Sequence, residues 1–252
     1  MLTRFDLPSR LSDMATFVLI HGAWHGGYAW RHVAPMLRKA GHEVFAPSLT
    51  GLGDRSHLSS REIDLDTHIQ DVVSLLEMED LHEVILLGHS YGGMVITGAA
   101  DRVPQRIRRL IYLDAFVGEN GKSCMDYVAA AVPERVKGFR EQAKESGFVP
   151  PPPAALWGHT DPALIGWLKP REVPHPFASQ TQPLRLNNEE ALKRIPKTFV
   201  HCTSPGTGSF DQFAAKYRNA PGWRFFEVKS GHDAMLLKPR EVAEVLLENV
   251  EE

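Results

Sequence analysis

The sequence predicts an α/β domain built on a mostly parallel sheet with helices on both faces. Three observations carry this. Apolar runs and amphipathic stretches alternate as strand, helix, strand, helix, strand, helix, strand over the first half of the chain. The strand runs, such as "ATFVLIHG" and "EVILLGHS", are apolar throughout, as strands buried on both faces are. The length, 252 residues, suits one large α/β domain or two small ones.

The elements follow in order. "ATFVLIHG" (Ala15 to Gly22) ends in a turn and reads as a buried strand. "WRHVAPMLRKAG" has apolar residues at helical spacing and a stop at Gly41. "HEVFAPSL" is the next strand, "THIQDVVSLLEME" (Thr67 to Glu79) an amphipathic helix, and "EVILLGHS" a strand again. "GGMVITGAADRVP" is a small-residue helix suited to tight packing on the sheet, and "IRRLIYLDAF" is a strand. From Val117 to about Ile195 this rhythm breaks into prolines and short helical pieces, which predicts a helical cap, residues 117–195, inserted into a core of 1–116 and 196–252. "KTFVHCTS", "SFDQFAAKYRNA", "WRFFEVKSG" and "EVAEVLLENV" then resume as strand, helix, strand and helix.

Composition narrows the function classes. The chain is 43% hydrophobic and 23% charged with a net charge of -3, ordinary for a globular protein. It has no basic blocks interleaved with aromatics, so no nucleic-acid partner is expected. No run nears the roughly 20 apolar residues a membrane span needs. Residues 1 to 14 lack a signal peptide's apolar core, and Cys124 and Cys202 form no metal spacing. Together these predict a cytoplasmic chain with two free thiols and no metal.

The chemistry centres on "GHSYG", Gly88 to Gly92, a G-x-S-x-G sequence between a strand and a helix. Such a turn holds Ser90 in a strained backbone state and exposes its Oγ near a helix N-terminus. Glycines at 88 and 92 remove Cβ atoms that would collide across it, and Gly93 lets the helix approach the sheet. The bland alternative is a serine in an ordinary tight turn. A serine needs a base, and "SGHDAM" offers His232 after the last strand, at the carboxyl edge of the sheet where Ser90 also falls. His42, His68 and His82 sit among charges and are expected to be solvated. His21 is placed to orient its own loop, and His89 points away from Ser90. The oxyanion donors expected are the amides of Tyr91, directly after the nucleophile, and Ala23 in "HGAWHGG". Trp24, Trp30 and Tyr91 either line the pocket or cover the core.

"FVLIHGAWHGGYAW", "GHSYGGMV" and "GHDAMLLKP" resemble the α/β-hydrolase superfamily over nearly the whole chain. The nearest likeness is to the small group of plant methyl-ester esterases, plant hydroxynitrile lyases, and bacterial esterases or amidases. The resemblance implies the α/β-hydrolase fold, with Ser90 as nucleophile, His232 as base, and Ala23 and Tyr91 as oxyanion amides. It also carries two departures. In the lyases a lysine directly follows the catalytic histidine, whereas Asp233 stands here, so cyanohydrin cleavage is not expected.

The second departure is the acid. Relatives place a carboxylate just after the strand that leaves the cap, here "KTFVHC", but the loop "TSPGTGSF" has none. Asp211 comes next, at the start of a helix, where a charge that simply suits the helix end explains it. Asp114 ends the strand "RRLIYLD", next after the nucleophile's helix; some α/β-hydrolases, the haloalkane dehalogenases with a glutamate among them, resemble this arrangement. A carboxylate ending an apolar run is costly without partners. Asp114 is therefore the expected acid, with Glu119 and Asp233 as alternatives.

The expected reaction is acyl transfer to water without a cofactor: Ser90 attacks a carbonyl, His232 moves the protons, and an acyl-enzyme follows. The cap, with Trp157, Trp167, Leu164 and Phe177, suggests a closed, mainly apolar pocket that Trp24, Trp157 and Trp167 line. A small apolar or aromatic ester, carbamate or amide would fit it. The rivals are a non-catalytic small-molecule receptor of this fold and a cofactor-free lyase or dioxygenase. The partners expected are the substrate and water, with a homodimer allowed.

Overall fold

The computed structural model describes residues 14–250. The expectation about a leader at residues 1 to 14 therefore lies almost wholly outside the described residues.

Six parallel strands form the sheet: β1 (Thr16–Ile20), β2 (Glu43–Phe45), β3 (Val84–His89), β4 (Ile107–Leu113), β7 (Lys197–Cys202) and β8 (Trp223–Val228). Their order is β2-β1-β3-β4-β7-β8, and every pairing is parallel. Successive side chains on a strand point to opposite faces, and here both faces are covered. Phe17, Leu19, Ile85, Leu87, Ile111 and Leu113 pack on one side. They meet residues of the helices α1 (Val33–Lys39), α10 (Ala234–Leu237) and α11 (Pro239–Glu248). Val18, Ile20, Leu86, Leu110, Tyr112 and Phe199 face the other way. There they meet α2 (Leu65–Met78), α3 (Gly92–Arg102), α9 (Asp211–Tyr217) and the cap. This two-sided burial is why the strands read as unbroken apolar runs.

Local chemistry sets the element ends. Helix α2 starts at Leu65, two residues before the expected Thr67, because the Asp64 side chain accepts the Thr67 N–H at 2.8 Å and caps it. Helix α1 stops where Gly41 takes φ 92°. Strand β2 is only Glu43–Phe45, shorter than its apolar run. Pro47 has no N–H for a ladder, and Ser48 Oγ accepts the Gly27 N–H at 2.8 Å instead of extending the sheet.

Between β4 and β7 the chain forms the inserted helical cap. It comprises α4 (Cys124–Ala131), α5 (Pro133–Ala143), α6 (Pro162–Leu168), α7 (Phe177–Thr181) and α8 (Glu189–Arg194). A two-stranded antiparallel piece, β5 (Phe148–Val149) with β6 (His175–Pro176), was not apparent from the sequence; the pairing is too short to leave a period. Helix α4 opens with a reciprocal capping box between Ser123 and Asp126.

The sheet order reverses direction at β1 and β3. Chain leaving β1 crosses to β2 on one side, whereas β3 lies on the other. The crevice beyond the carboxyl ends of β1 and β3 is the switch point where open α/β sheets bind ligands. Both the "HGAW" loop and Ser90 emerge there.

Candidate active site

Ser90 follows β3 directly and adopts φ 54°, a left-handed state unusual for a residue with a Cβ. Its N–H donates to Leu113 O at 3.3 Å, and its carbonyl accepts the N–H groups of Gly93 and Phe116 at 3.1 and 3.2 Å. The bend is possible because its neighbours lack side chains. A Cβ on Gly88 would lie 2.5 Å from Gly92 O, and one on Gly93 would lie 2.1 Å from Phe116 O. Two other non-glycine residues at this edge are strained the same way, Trp24 at φ 66° and Asp114 at φ 41°. Strain gathered at one place marks a site held for a purpose by its surroundings.

Asp114 ends β4, with its N–H bonded to Val200 O at 2.7 Å. Its Oδ2 lies 2.6 Å from His232 Nδ1, and its Oδ1 accepts the Cys202 N–H at 3.2 Å. Asp114 and His232 are both buried. Burial pushes the Asp114 carboxyl up to about 8, with the Cys202 N–H pulling against it. Burial likewise pushes the His232 imidazole down to about 4. Both shifts express the cost of a charge in a dry place. The imidazole is held between two rings, Phe210 stacked at 4.8 Å and Trp157 of the cap at 4.9 Å. With Nδ1 engaged by Asp114, Nε2 is the nitrogen left for a proton transfer.

The other carboxylates weighed from sequence lie elsewhere. Asp211 begins α9, its side chain 63% exposed, and pairs with His201 at 3.0 Å. Glu119 pairs with Lys216 at 2.5 Å near the surface. Asp233 is buried and faces His159 Nε2 at 2.6 Å, His25 Nε2 at 3.3 Å and His89 Nε2 at 3.7 Å. Burial alone would raise the Asp233 carboxyl, but the surrounding histidines outweigh it and hold the group well below the usual range. His25 answers in kind: despite burial, Asp233 raises its pKa.

The Ala23 and Tyr91 amides have no hydrogen-bond partner among the described residues, and both residues line the cavity that holds Ser90. The Trp24 N–H, by contrast, is taken by His175 Nδ1 at 3.3 Å. His21 fixes this loop, with Nδ1 donating to Gly22 O at 2.8 Å and Nε2 accepting the Leu49 N–H at 3.0 Å. Burial drives its pKa down to about 3. His89 turns to the loop behind His232 and donates to the His232 carbonyl at 3.0 Å.

The cavity has about 390 Å³ of empty volume, part of it open to solvent. Its wall is mainly apolar; Trp24, Phe116, Met125, Phe139, Trp157 and Phe210 form most of it. Arg135, Gln180 and Ser209 are polar groups in that wall. Of these residues only Trp24 and Trp157 were expected from sequence. Phe210 sits in the very loop where an acid was sought, and that position is the one signal that marks it. Gln180 and Arg135 gave no signal, since a cap's inward face has no fixed spacing.

Two expectations need correction, and one alternative is resolved. Trp167 does not line the cavity. It packs edge-on against Tyr28, with the Arg31 and Arg171 guanidinium groups 4.6 and 4.4 Å from its ring. Of the two places open to Trp30, the pocket and the core, it takes the core, where it is wholly buried. His68 is not solvated but fully buried, bonded to Tyr91 Oη at 2.9 Å and Thr50 O at 3.0 Å. Its sequence neighbour Asp66 lies on another face of α2, as 3.6-residue spacing requires, while Asp71, nearly one turn on, shares its side and accepts from the Thr50 N–H and hydroxyl.

Both cysteines are free and buried. Among the described residues one grouping, His89, His232 and Asp233, brings metal-ligating atoms within 4.8 Å of one another. Those side chains are already engaged: His232 with Asp114, His89 with a carbonyl, and Asp233 with His159. The arrangement is that of an ion-pair network. No helix among the described residues is long and apolar enough to cross a membrane.

A strained serine at a sheet switch point, a buried imidazole–carboxylate pair and a capped apolar cavity define a serine hydrolase. The chain belongs to the alpha/beta hydrolase family, which it matches over residues 17–245. It is 44% identical over 241 residues to a carbendazim hydrolyzing esterase of Nocardioides sp. (strain SG-4G), covering 92% of this chain and 98% of that one. An α-hydroxynitrile lyase of Arabidopsis thaliana is 36% identical over 102 residues, 40% of each chain. Among solved structures, an extracellular α/β-hydrolase from a Paenibacillus species aligns with a TM-score of 0.82. That match is 28% identical and covers 94% of this chain and 100% of that one; the protein is described as sharing structural and functional homology with tobacco salicylic acid binding protein 2. This likeness overturns the expected cytoplasmic location, because a structural relative matched over its whole length is extracellular.

Proposed function

We propose that the protein hydrolyses small apolar or aromatic esters and carbamates through an acyl-enzyme on Ser90. The observation that carries this is the strained Ser90 in the wall of an apolar cavity whose Trp157 and Phe210 also clasp the Asp114-bound His232. The Nocardioides esterase acting on carbendazim supports a carbamate among the substrates.

In this reading His232 Nε2 takes the Ser90 proton as Oγ attacks the carbonyl. Asp114 fixes the tautomer and offsets the charge forming on the imidazole. The Ala23 and Tyr91 amides receive the oxyanion. His232 then protonates the leaving alcohol, and the same nitrogen activates water to release the acid. Amides would meet the same machinery with a poorer leaving group. Residues 117–195 act as the unit that shapes the acyl pocket, through Trp157 from the cap against Trp24 from the core. The partners in this scheme are substrate and water; nucleic acid has no part in it, and a homodimer is compatible with it. Labelling by a fluorophosphonate, lost in Ser90→Ala, tests the assignment. Unchanged ester turnover by folded S90A would sink it.

A further inference from the structure

Gln180 lines the acyl cavity and carries an unanswered hydrogen-bond acceptor. The residue is 1% exposed, lies on α7 and lines the same cavity as Ser90, yet its Oε1 has no hydrogen-bond partner. A buried acceptor without a donor is costly, so a native protein that keeps one has a reason. The helix cannot easily turn it away. Gln182, two residues on, grips α2 with both ends of its amide, accepting the Asp66 N–H and donating to Asp66 Oδ2, each at 3.0 Å. On the other side Ser179 Oγ is bonded to His175 Nε2 and Pro176 O, both at 2.8 Å.

The other polar groups of the wall, Arg135 and Ser209, bond to each other. One Arg135 NH group donates to Ser209 Oγ at 2.8 Å and another to Thr207 O at 3.5 Å. Gln180 Oε1 is thus a buried acceptor of a mainly apolar wall that no donor among the described residues answers. In a small acyl group the chemistry that answers it is an N–H beside the reacting carbonyl.

We propose that Gln180 selects carbamates carrying an N–H next to the carbonyl over esters with a methylene in that place. This rests on the reading of Ser90 as nucleophile. Gln180 is a specificity-determining residue here: its Oε1 accepts the substrate N–H and orients the carbonyl towards Ser90. An ester of the same shape leaves Oε1 unbonded, and a site built around one hydrogen bond discriminates through that loss. Removing the acceptor should therefore weaken the N–H substrate relative to the ester, by about ten- to a hundredfold.

The test uses a matched pair, methyl N-phenylcarbamate and methyl phenylacetate, which differ by NH against CH2. Full-length wild type, Gln180→Leu, Gln180→Met and Gln180→Glu are compared by kcat/KM for methanol release, so that each ratio cancels intrinsic reactivity. Q180L and Q180M should lower the carbamate-to-ester ratio of kcat/KM by about ten- to a hundredfold. Q180E, whose carboxyl oxygen still accepts, should retain the carbamate preference. An unchanged ratio in these variants would make Gln180 merely structural and overturn the proposal. If both apolar variants fail to fold, the Q180E ratio decides: a fall to the ester's level overturns it. Fluorophosphonate labelling and ester turnover of the wild type report separately on Ser90, so failure there strikes the hydrolase reading and not this selection.

Discussion

Asp114→Asn is the sharpest test of the site, because the structure dictates which way the new amide must lie. Oδ1 accepts the Cys202 N–H at 3.2 Å. In the variant that position must remain an oxygen, or two donors would face each other in a buried place. The NH2 group is then forced into the place of Oδ2, 2.6 Å from His232 Nδ1. A donor there requires Nδ1 to be the unprotonated nitrogen, so the neutral ring carries its proton on Nε2. The base then meets Ser90 with the wrong nitrogen protonated. By analogy with the serine-protease triad the loss in kcat is about 10³ to 10⁴, or ~4–5.5 kcal/mol of transition-state stabilisation. Folding should not suffer. The amide keeps the bond from the Cys202 N–H, and burial already disfavours the Asp114 charge. Asp211→Asn is the control, since a helix-start charge is worth about 0.3–1 kcal/mol and its side chain is 63% exposed. The assay is kcat on the best ester, with circular dichroism melts of both variants. A near-wild-type D114N beside a dead D211N would place the acid on the wrong strand. Two active variants would leave Glu119, Asp233 or a serine–histidine pair to be tested.

Four further outcomes are expected. Trp157→Ala should change the relative kcat/KM of small and bulky acyl groups, whereas Trp167→Ala should not, because only Trp157 borders the cavity; equal ratios in both would refute this. The kcat/KM profile should rise with pH on an acid limb that belongs to the Asp114–His232 pair, between about 4 and about 8, the values to which burial drives them; activity independent of pH over that range would contradict it. Stability should fall as pH drops below about 6.5, because burial lowers His21, His89 and His175. There the unfolded chain binds protons the folded one refuses, each costing up to about 1.4 kcal/mol per pH unit. Asp114, raised instead, offsets one of these, and a urea midpoint unchanged from pH 7 to 4.5 would refute the sign. Asp233→Asn should cost about 3–5 kcal/mol by leaving His25 and His159 without their carboxylate, a fall of roughly 6–15 °C in Tm; a fall under about 2 °C would refute it.

The sheet was legible because its strands are buried on both faces and its helices are amphipathic, two patterns that local sequence records. Ser90 was legible because the elbow needs small residues at fixed offsets, and His232 because it follows the last strand. Asp114 was harder. Its signal was a carboxylate where an apolar run ends, and only the register of β4 against β7 puts that residue beside the Cys202 N–H. The cavity wall was mostly illegible. Phe116, Phe139, Gln180 and Phe210 come from four separate segments, and no single segment has a period that points at a shared space. Trp167 misled for the same reason: a tryptophan in the cap is equally able to face outward, and two arginines hold it there.

Asp233 shows how one position can divide chemistries on a shared scaffold. The residue after the base is the place where a lysine in the lyases would offer a cation. Here it is an acid, and its carboxylate is turned away from Asp114's side of the imidazole into a buried nest of histidines. His159 brings the cap into that nest, His25 brings the loop after β1, and His89 brings the elbow itself. The carboxylate thus joins three of the segments that must stay in register for Ser90, Ala23 and Trp157 to share one cavity. A charge used in this way is not free to hold a cyanide leaving group, and an anion there would repel one. The same substitution that removes the lyase's cation fastens the hydrolase's cap, which is why stability and reaction type should both respond at this residue.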